Sequence, residues 1–435
     1  MDVVNRTAFP ALAFEGLDTE DQPFHVLVMR ITYVLRPGAG AAPLAGHCTH
    51  HLDFADDQAP LAATDSFLGD PAWTSPRGES DYAPFKPRCD VLVLGRAHAP
   101  HGRPRRRFTA SMKLLRPGPA GQVLLDASLA IVGPRWFRKK RWPLRWIYGL
   151  LRFGSLGLVR VNPWTLTAPA AVGSVPLTYE YAFGGTLTIP VEAMPKVPKK
   201  HRLPPARQQD LGQPCAAYAR NEANPIGMGH AALWALKAGR VKRLPAPQIE
   251  DPGRPVTSAY FWRNARGRIK PGKELTPAGC GPLGRGWSPR RLLAGTPDAV
   301  WVRERHPLLP RDFDFGYWNC AHPEWQTEHL RGNEVLTLAN LLPADEPSAF
   351  QDAQGNTLAR FALPGHEPFV LVRYPDGRKA SVPLMTDTLI LDLESASVTQ
   401  VVRARLPRSE PIQGLEFRME VNPSALPAAR EAGRP

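Results

Sequence analysis

The stretch FVLVRYPDGRKASVPL at residues 369–384 predicts two antiparallel strands joined by a tight turn. Its two halves, Phe369–Tyr374 and Arg378–Leu384, are rich in β-branched, aromatic and other apolar residues, and the first two types favour extended chains. Pro375-Asp376-Gly377 between them suits a turn, because proline fixes φ and glycine accepts a positive φ. This pattern indicates an antiparallel sheet in the C-terminal part of the chain.

Strand patterns of the same kind extend in both directions from this hairpin. A second hairpin follows, in which Thr388–Leu393 and Val398–Leu406 flank Glu394–Ser397. Further strands are predicted at Phe24–Leu35, Cys89–Ala97, Phe108–Leu115, Gln122–Val132, Val175–Phe183, Glu334–Leu341 and Leu415–Val421. Gly229–Lys237 is the one short helical window.

Proline content limits the helices that this chain can form. It has 48 prolines in 435 residues, about twice the usual share of about 5%, and proline breaks helix interiors. We therefore predict a mainly β fold with a large antiparallel β-sandwich-like body, long proline-rich loops and few short helices. The expected regions are a β region at 1–185 with a basic, tryptophan-rich insertion at about 137–162, a proline-rich irregular middle at 186–300, a β region with hairpins at 301–422, and a disordered tail at 423–435.

Positive charge is concentrated in one part of the sequence. The formal net charge is +14, and residues 101–160 hold 14 Arg and Lys against the single acid Asp126. Such asymmetry suggests an anionic partner, whereas the simpler interpretation is a solvated surface that keeps the protein soluble. Interleaved Trp and Arg suit nucleic acid, a membrane surface or an acidic protein. The candidate partner-binding residues are Trp136, Arg138, Lys139, Lys140, Arg141, Trp142, Arg145 and Trp146. Alternatively, the aromatic residues pack on the β body and only the arginines contact water.

Several classes of protein are not supported by the sequence. The first residues lack a basic region followed by an apolar core, so we expect no secretory signal. Apolar runs stay below about 18 residues, so we expect no membrane span. The five cysteines are odd in number and widely spaced, which suits a reducing cytoplasm.

The sequence also contains patterns that resemble catalytic or metal sites. Gly279–Gly284 fits the dinucleotide fingerprint, but Pro277 and Pro289 flank it and prevent the required helix. His47–His51 with Asp53 offers zinc ligands, yet no Cys-x-x-Cys pair accompanies them. A surface strand carrying histidines is the favoured interpretation. We expect no catalytic residue, metal or cofactor.

A dozen short motifs occur in a specific order along the chain. They are Asp81–Gly95, Ala97–Pro100, Gly133–Trp136, Pro176–Gly185, Asn224–Gly229, Ile249–Pro252, Pro277–Gly279, Trp287–Arg290, Gly295–Thr296, Leu309–Asp314, Arg331–Glu334 and Asp387–Leu389. Their order and content resemble a Gram-negative bacterial family catalogued as a domain of unknown function. The resemblance extends from about residue 3 to residue 406. Two departures are the basic insertion and Val402, where the family pattern leads us to expect Trp.

Members of that family lie in type VI secretion gene clusters and act as effector adaptors or chaperones. The resemblance implies a cytoplasmic protein that holds a toxic effector and delivers it to the spike built on the valine-glycine-repeat protein (VgrG), often with its PAAR tip. It implies no catalytic residues. The alternative, suggested only by the basic segment 101–160, is a nucleic-acid-binding protein.

The motif residues also have a structural interpretation, which we favour over direct partner contact. Acidic motif residues beside Lys86, Arg88, Arg290 and Arg311 would form a partly buried ionic network, and the glycines would permit a positive φ or close backbone approach. The candidate structural residues are Asp81, Lys86, Asp90, Tyr179, Glu180, Phe183, Gly184, Gly185, Asp312 and Asp314, with Glu250 as a further acid.

Overall fold

The structure, a computed structural model, describes residues 1–38, 48–118, 121–140, 162–208 and 214–422. It is mainly β, with about 40% strand and 14% helix, which confirms the predicted fold class. The predicted tail at 423–435 and residues 141–161 of the predicted insertion lie outside the described residues.

The strands of the described residues are numbered in chain order. The first half comprises β1 (Asp2–Asn5), β2 (Ala11–Leu17), β3 (Pro23–Pro37), β4 (His50–Phe54), β5 (Ser66–Phe67), β6 (Pro76–Gly78), β7 (Cys89–Leu94), β8 (Arg96–His98), β9 (Arg107–Arg116), β10 (Gln122–Val132), β11 (Arg135–Lys139), β12 (Trp164–Leu166), β13 (Ser174–Pro176) and β14 (Phe183–Gly184). The second half comprises β15 (Thr186–Pro190), β16 (Cys215–Arg220), β17 (Met228–Gly229), β18 (Arg243–Ala246), β19 (Ile249–Glu250), β20 (Gln326–Thr327), β21 (Val335–Ala339), β22 (Phe350–Gln351), β23 (Thr357–Ala362), β24 (Glu367–Arg373), β25 (Lys379–Pro383), β26 (Met385–Asp392), β27 (Ser397–Pro407) and β28 (Gly414–Glu420).

The helices of the described residues are short. The α-helices are α1 (Leu233–Ala238), α2 (Ser258–Ala265), α3 (Ser288–Arg291) and α4 (Ala299–Glu304). Short 3-10 helices occur at Pro100–Gly102, Tyr179–Tyr181, Val191–Lys196, Lys199–His201, Pro205–Arg207, Leu292–Ala294, Phe315–Trp318 and Pro323–Trp325. None of the helices in the described ranges is both long and apolar enough to cross a bilayer.

Three sheets form the body of the protein. A seven-stranded sheet has the order β2-β3-β27-β26-β7-β20, with β4 also paired to β3. A six-stranded sheet has the order β19-β10-β9-β21-β23-β22, and a four-stranded sheet has the order β1-β28-β24-β25. Both predicted C-terminal hairpins are present, as β24–β25 and β26–β27. The sheets are mixed rather than purely antiparallel, because β26 pairs with β7, and β1 with β28, in parallel.

One hydrophobic core lies between these three sheets. It joins Leu27 and Val91 of the seven-stranded sheet to Met112 of the six-stranded sheet and Phe417 of the four-stranded sheet. All four side chains are at most 1% exposed. The body is thus sandwich-like, as predicted.

The proline-rich middle region has hydrophobic cores of its own. One joins Phe261 to Phe137 and Trp164 of the preceding segment; a second contains Ile189 and Ala216. Leu187 packs against both. We call this unit, with strands β11, β12 and β14–β18 and helices α1 and α2, the basic lobe.

The predicted continuous strand at Val175–Phe183 is wrong. The structure has β13, a 3-10 turn and β14 there instead. The side-chain amide of Asn224 donates to the carbonyls of Tyr179 and Phe183. These hydrogen bonds stabilise the turn and substitute for those that a neighbouring strand would form. Position 184 requires glycine because a Cβ there would lie 2.2 Å from the carbonyl oxygen of Asn224.

Candidate functional site

The basic lobe presents a three-stranded antiparallel sheet to solvent. Its order is β12-β11-β18. Phe137 at the centre of β11 is fully buried and stacks on Phe261 of α2 at 4.2 Å. Since side chains alternate along a strand, Trp136 and Arg138 point to the opposite, outer face. We call this outer face the basic surface.

Two arginines lie directly opposite each other on the basic surface. Arg138 of β11 pairs in register with Arg243 of β18, and both side chains are exposed. No acidic side chain in the described part of the chain forms an ion pair with either. The guanidinium of Arg243 instead lies over the indole of Trp136, 3.5 Å from its centroid. Like charges directly opposite each other destabilise a strand pair, so β11 and β18 would gain stability from a counter-charge that the described residues do not supply.

The charge of the surrounding sequence has the same sign. Residues 127–273 hold 24 Arg and Lys against 6 Asp and Glu, a balance of +18, so the rest of the chain carries −4. The positive charge of the whole protein therefore comes from the part of the sequence that contains the basic lobe. Such a single-sign field attracts anionic partners.

The predicted partner-binding residues divide between the described and undescribed parts of the chain. Trp136, Arg138, Lys139 and Lys140 lie in or directly after β11. Arg141, Trp142, Arg145 and Trp146 lie outside the described residues. The start of the predicted insertion is thus an integral strand of the lobe, and its first residue, Phe137, belongs to a core. Sequence reasoning missed Arg243, since its pairing with Arg138 is a long-range contact.

A junction residue ties the basic lobe to the body. The carboxylate of Glu250 is fully buried and pairs with Arg135 of β11 and with Arg107 of β9. It also accepts a hydrogen bond from the amide of Val256 at 3.0 Å. This junction fixes the orientation of β11, and therefore of the basic surface.

Several predicted structural residues form one buried ionic network in the body. Asp90 is 0% exposed and accepts hydrogen bonds from Lys86 at 2.8 Å and from the amides of Cys320 and Ala321 at 3.0 Å each. Lys86 also donates to the hydroxyl of Thr388 at 2.8 Å.

The network continues from Thr388 to the neighbouring strand. Thr388 donates to Asp387, which pairs with Arg403 at 2.7 Å. Arg403 also donates to the carbonyls of Asp81 and Ala83, and Asp81 pairs with Arg30 at 2.8 Å. The motif at residues 81–90 is thereby joined to β3, β26 and β27. We call Arg30, Asp81, Lys86, Asp90, Asp387, Thr388 and Arg403 the buried ionic network.

The electrostatics of this network favour its charged form. Burial alone would raise the pKa of Asp90, but the Lys86 ammonium and the two backbone amides outweigh it and lower the pKa. Burial opposes the charge on Lys86 as well, yet the nearby Asp90 carboxylate raises its pKa. Both groups therefore stay ionised in the folded protein.

The remaining predicted structural residues serve separate roles. Glu180 accepts hydrogen bonds from the amide and hydroxyl of Ser75. Asp312 accepts from Thr296, and Asp314 caps the turn at Phe315–Trp318.

The four predicted cationic partners also have local roles. Lys86 belongs to the buried ionic network, Arg290 pairs with Glu79, Arg311 pairs with Asp21, and Arg88 donates to the carbonyl of Gln326.

A cleft of about 210 Å³ lies beside the motif at residues 176–185. Ser75 lines it, and its hydroxyl donates to Glu180 at 2.6 Å while accepting from the amide of Tyr179 at 2.9 Å. The acids that line it are Asp392, which pairs with Arg77 at 3.0 Å, and Glu394. Ser75 is thus held by structural hydrogen bonds, and the described residues that line the cleft include no histidine.

The histidines and cysteines that the sequence offers as metal ligands do not come together in the described part of the fold. His50 is buried and lies 2.7 Å from the hydroxyl of Thr49, His51 is exposed, and His47 lies outside the described residues. Over the residues that the structure covers, no group of three His, Cys, Asp or Glu side chains converges as a metal site. All five cysteines are among those residues, and none forms a disulfide.

His322 is a buried helix cap whose titration should affect stability. Its Nδ1 accepts the amide of Glu324 at 3.3 Å. Burial lowers its pKa to about 4; the nearby Asp251 carboxylate opposes this shift to a smaller extent, and the Arg254 guanidinium adds to it. Because an unfolded histidine binds its proton near pH 6.5, the unfolded chain binds more protons between the two values, and stability falls as pH falls.

We therefore expect His322 to contribute a loss of about 2 kcal/mol in the free energy of unfolding between about pH 7 and about pH 5. His322→Asn keeps an acceptor at the cap but removes the titration. Urea unfolding at both pH values gives the difference in the free energy of unfolding between them. For this variant, we expect that difference to be smaller than in the native protein by about 2 kcal/mol. An unchanged difference would contradict the prediction.

Comparisons with known proteins identify a family over most of the chain. The model of the family described as "Uncharacterized protein conserved in bacteria (DUF2169)" matches residues 20–403. No curated protein and no solved structure matches the chain. The matched range includes the basic surface and the buried ionic network.

Proposed function

We propose that this chain, which belongs to the bacterial family DUF2169, is a non-enzymatic adaptor or chaperone of type VI secretion. In this proposal it binds a cognate toxic effector in the cytoplasm and helps to load it onto the VgrG/PAAR spike. The ordered motifs support this role through their resemblance to secretion adaptors. The basic surface is the proposed contact with the effector.

One observation carries the choice of surface: Arg138 faces Arg243, and no acidic side chain among the described residues pairs with either. A folded sheet that keeps two exposed like charges in register gains stability when an anionic group binds between them. An acidic segment of an effector supplies that group. Trp and Arg are also the residues most enriched at binding hot spots, and both occur here.

The same geometry favours an acidic protein over single-stranded nucleic acid. A base would need the face of an aromatic ring for stacking. One face of Trp136 is already covered by the guanidinium of Arg243 at 3.5 Å. Nucleic acid is therefore the second candidate.

Co-expression of the tagged chain with the products of its neighbouring genes tests the proposal. We expect one effector and VgrG to co-purify with it, and the effector to dissociate at high salt because charge pairs are screened. A labelled DNA duplex serves as the competing probe. Duplex binding that weakens about a thousandfold between 50 and 200 mM salt, without any protein partner, would overturn the proposal.

A further inference from the structure

The outer edge of β2 is an unpaired strand edge at the surface of the body. Within the described part of the chain, β2 ends the seven-stranded sheet and has β3 as its single strand partner. The amide of Arg30 donates to the carbonyl of Pro10 at 2.9 Å. Because hydrogen-bonded pairs alternate along an antiparallel ladder, Ala13, Glu15 and Leu17 direct their amides and carbonyls away from β3.

No backbone hydrogen bond in the described ranges uses these outward groups. Apart from the charged side chain of Glu15, the edge also lacks the usual protection against strand addition. Such protection comes from prolines, lysines, bulges or very short strands. β2 has seven residues without proline or lysine, and its register with β3 shows no shift. An edge of this kind is a template for another strand.

An open groove of about 510 Å³ runs along this edge. Four successive residues of β2, Phe14–Leu17, line it together with Pro23 at the start of β3, Tyr82, Pro84 and Pro307–Leu309. Successive residues of a strand point to opposite faces, so a groove that contacts all four lies along the edge. Its other wall begins at Pro307, which has no amide to donate.

The groove is apolar, and the charges around it are already paired. Leu17 is 39% exposed and Tyr82 is 43% exposed. Glu15 pairs with Arg408 at 3.1 Å, and Asp21 pairs with Arg305 at 2.8 Å. The described lining residues offer a charged occupant no free counter-charge, whereas an uncharged apolar strand matches the walls.

We propose that the outer edge of β2 and its groove dock an extended, uncharged, apolar segment of a partner polypeptide. The segment adds one strand to the seven-stranded sheet through the outward groups of Ala13 and Glu15 and places alternate side chains against Tyr82 and Leu308. Strand addition of this type derives its affinity from backbone hydrogen bonds and its selectivity from the groove. The site is separate from the basic surface and does not depend on the proposed function.

Two substitutions of Glu15 distinguish the contribution of its backbone amide to binding from that of its side chain. Glu15→Pro removes an outward amide that β3 does not use, and proline is tolerated on edge strands. Glu15→Ala removes the same ion pair with Arg408 but keeps the amide. The probe is a fluorescent, capped Val-Thr repeat of about ten residues, the length of a long strand.

Anisotropy titration with the full chain should show binding to the native protein and to Glu15→Ala. The Glu15→Pro variant should bind about tenfold more weakly, the effect of one hydrogen bond. Hydrogen exchange of the native protein should slow at Ala13 and Glu15 when the peptide binds, and this readout needs no variant. Absence of binding at about 1 mM peptide, equal binding by Glu15→Pro, or unchanged exchange would overturn the proposal. A dimer in light scattering that Glu15→Pro abolishes would assign the edge to a second copy and also overturn it.

Discussion

Asp90→Asn is expected to lower the free energy of unfolding by about 3–5 kcal/mol, the cost of leaving a buried charge without its partner. Asp90 is completely buried, and its carboxylate accepts from the Lys86 ammonium at 2.8 Å. Asparagine keeps the size of the side chain but removes the charge. The Lys86 ammonium, 5% exposed, then loses the carboxylate with which it pairs and keeps only neutral acceptors such as the hydroxyl of Thr388.

Urea unfolding followed by tryptophan fluorescence measures this effect. Adding Lys86→Met to Asp90→Asn should recover at least about 1 kcal/mol, because the unpaired ammonium is the main cost. Glu410→Ala is the matched control: it breaks the exposed pair with Arg378, 2.7 Å long, and should have no measurable effect. A loss below about 1 kcal/mol for Asp90→Asn, or no recovery in the double variant, would show that the network does not stabilise the fold.

The sequence predicts strands best where local chemistry determines them. The turn at Pro375–Gly377 places its two strands without help from distant residues, and β10 has the bounds predicted, Gln122–Val132. Val175–Phe183 has a strand-like composition but is bent by distant groups, chiefly the amide of Asn224. Such contacts have no signature in the sequence of the segment they reshape.

The same limit applies to the candidate sites. The concentration of positive charge and the presence of Trp136 and Arg138 can be read from the sequence. The pairing of Arg138 with Arg243 cannot, because it joins strands about a hundred residues apart in the chain. Likewise, the ionic network was predicted from its acids, but Arg403 and Asp387 enter it only through the register of β26 and β27.

Reversing one charge of the basic surface should separate stability from binding. In Arg138→Glu, an acid faces Arg243 across the strand pair, so we expect the free energy of unfolding to rise by roughly 0.2–1 kcal/mol, the value of an opposite-charge pair. Binding of the effector, in contrast, should weaken at least about tenfold, since one of two facing charges now repels an acidic segment. A site that is less stable than it could be is typical of functional surfaces.

The double variant Arg138→Glu/Arg243→Glu should abolish co-purification of the effector, with affinity at least about a hundredfold lower. Arg331→Glu/Lys379→Glu changes the net charge equally at two exposed positions of the body and is the matched control. If both double variants weaken binding alike, net charge rather than the basic surface attracts the effector. If Arg138→Glu binds as the native protein does, the contact lies elsewhere. A selective loss, together with the gain in stability of the single variant, would place the acidic segment between Arg138 and Arg243.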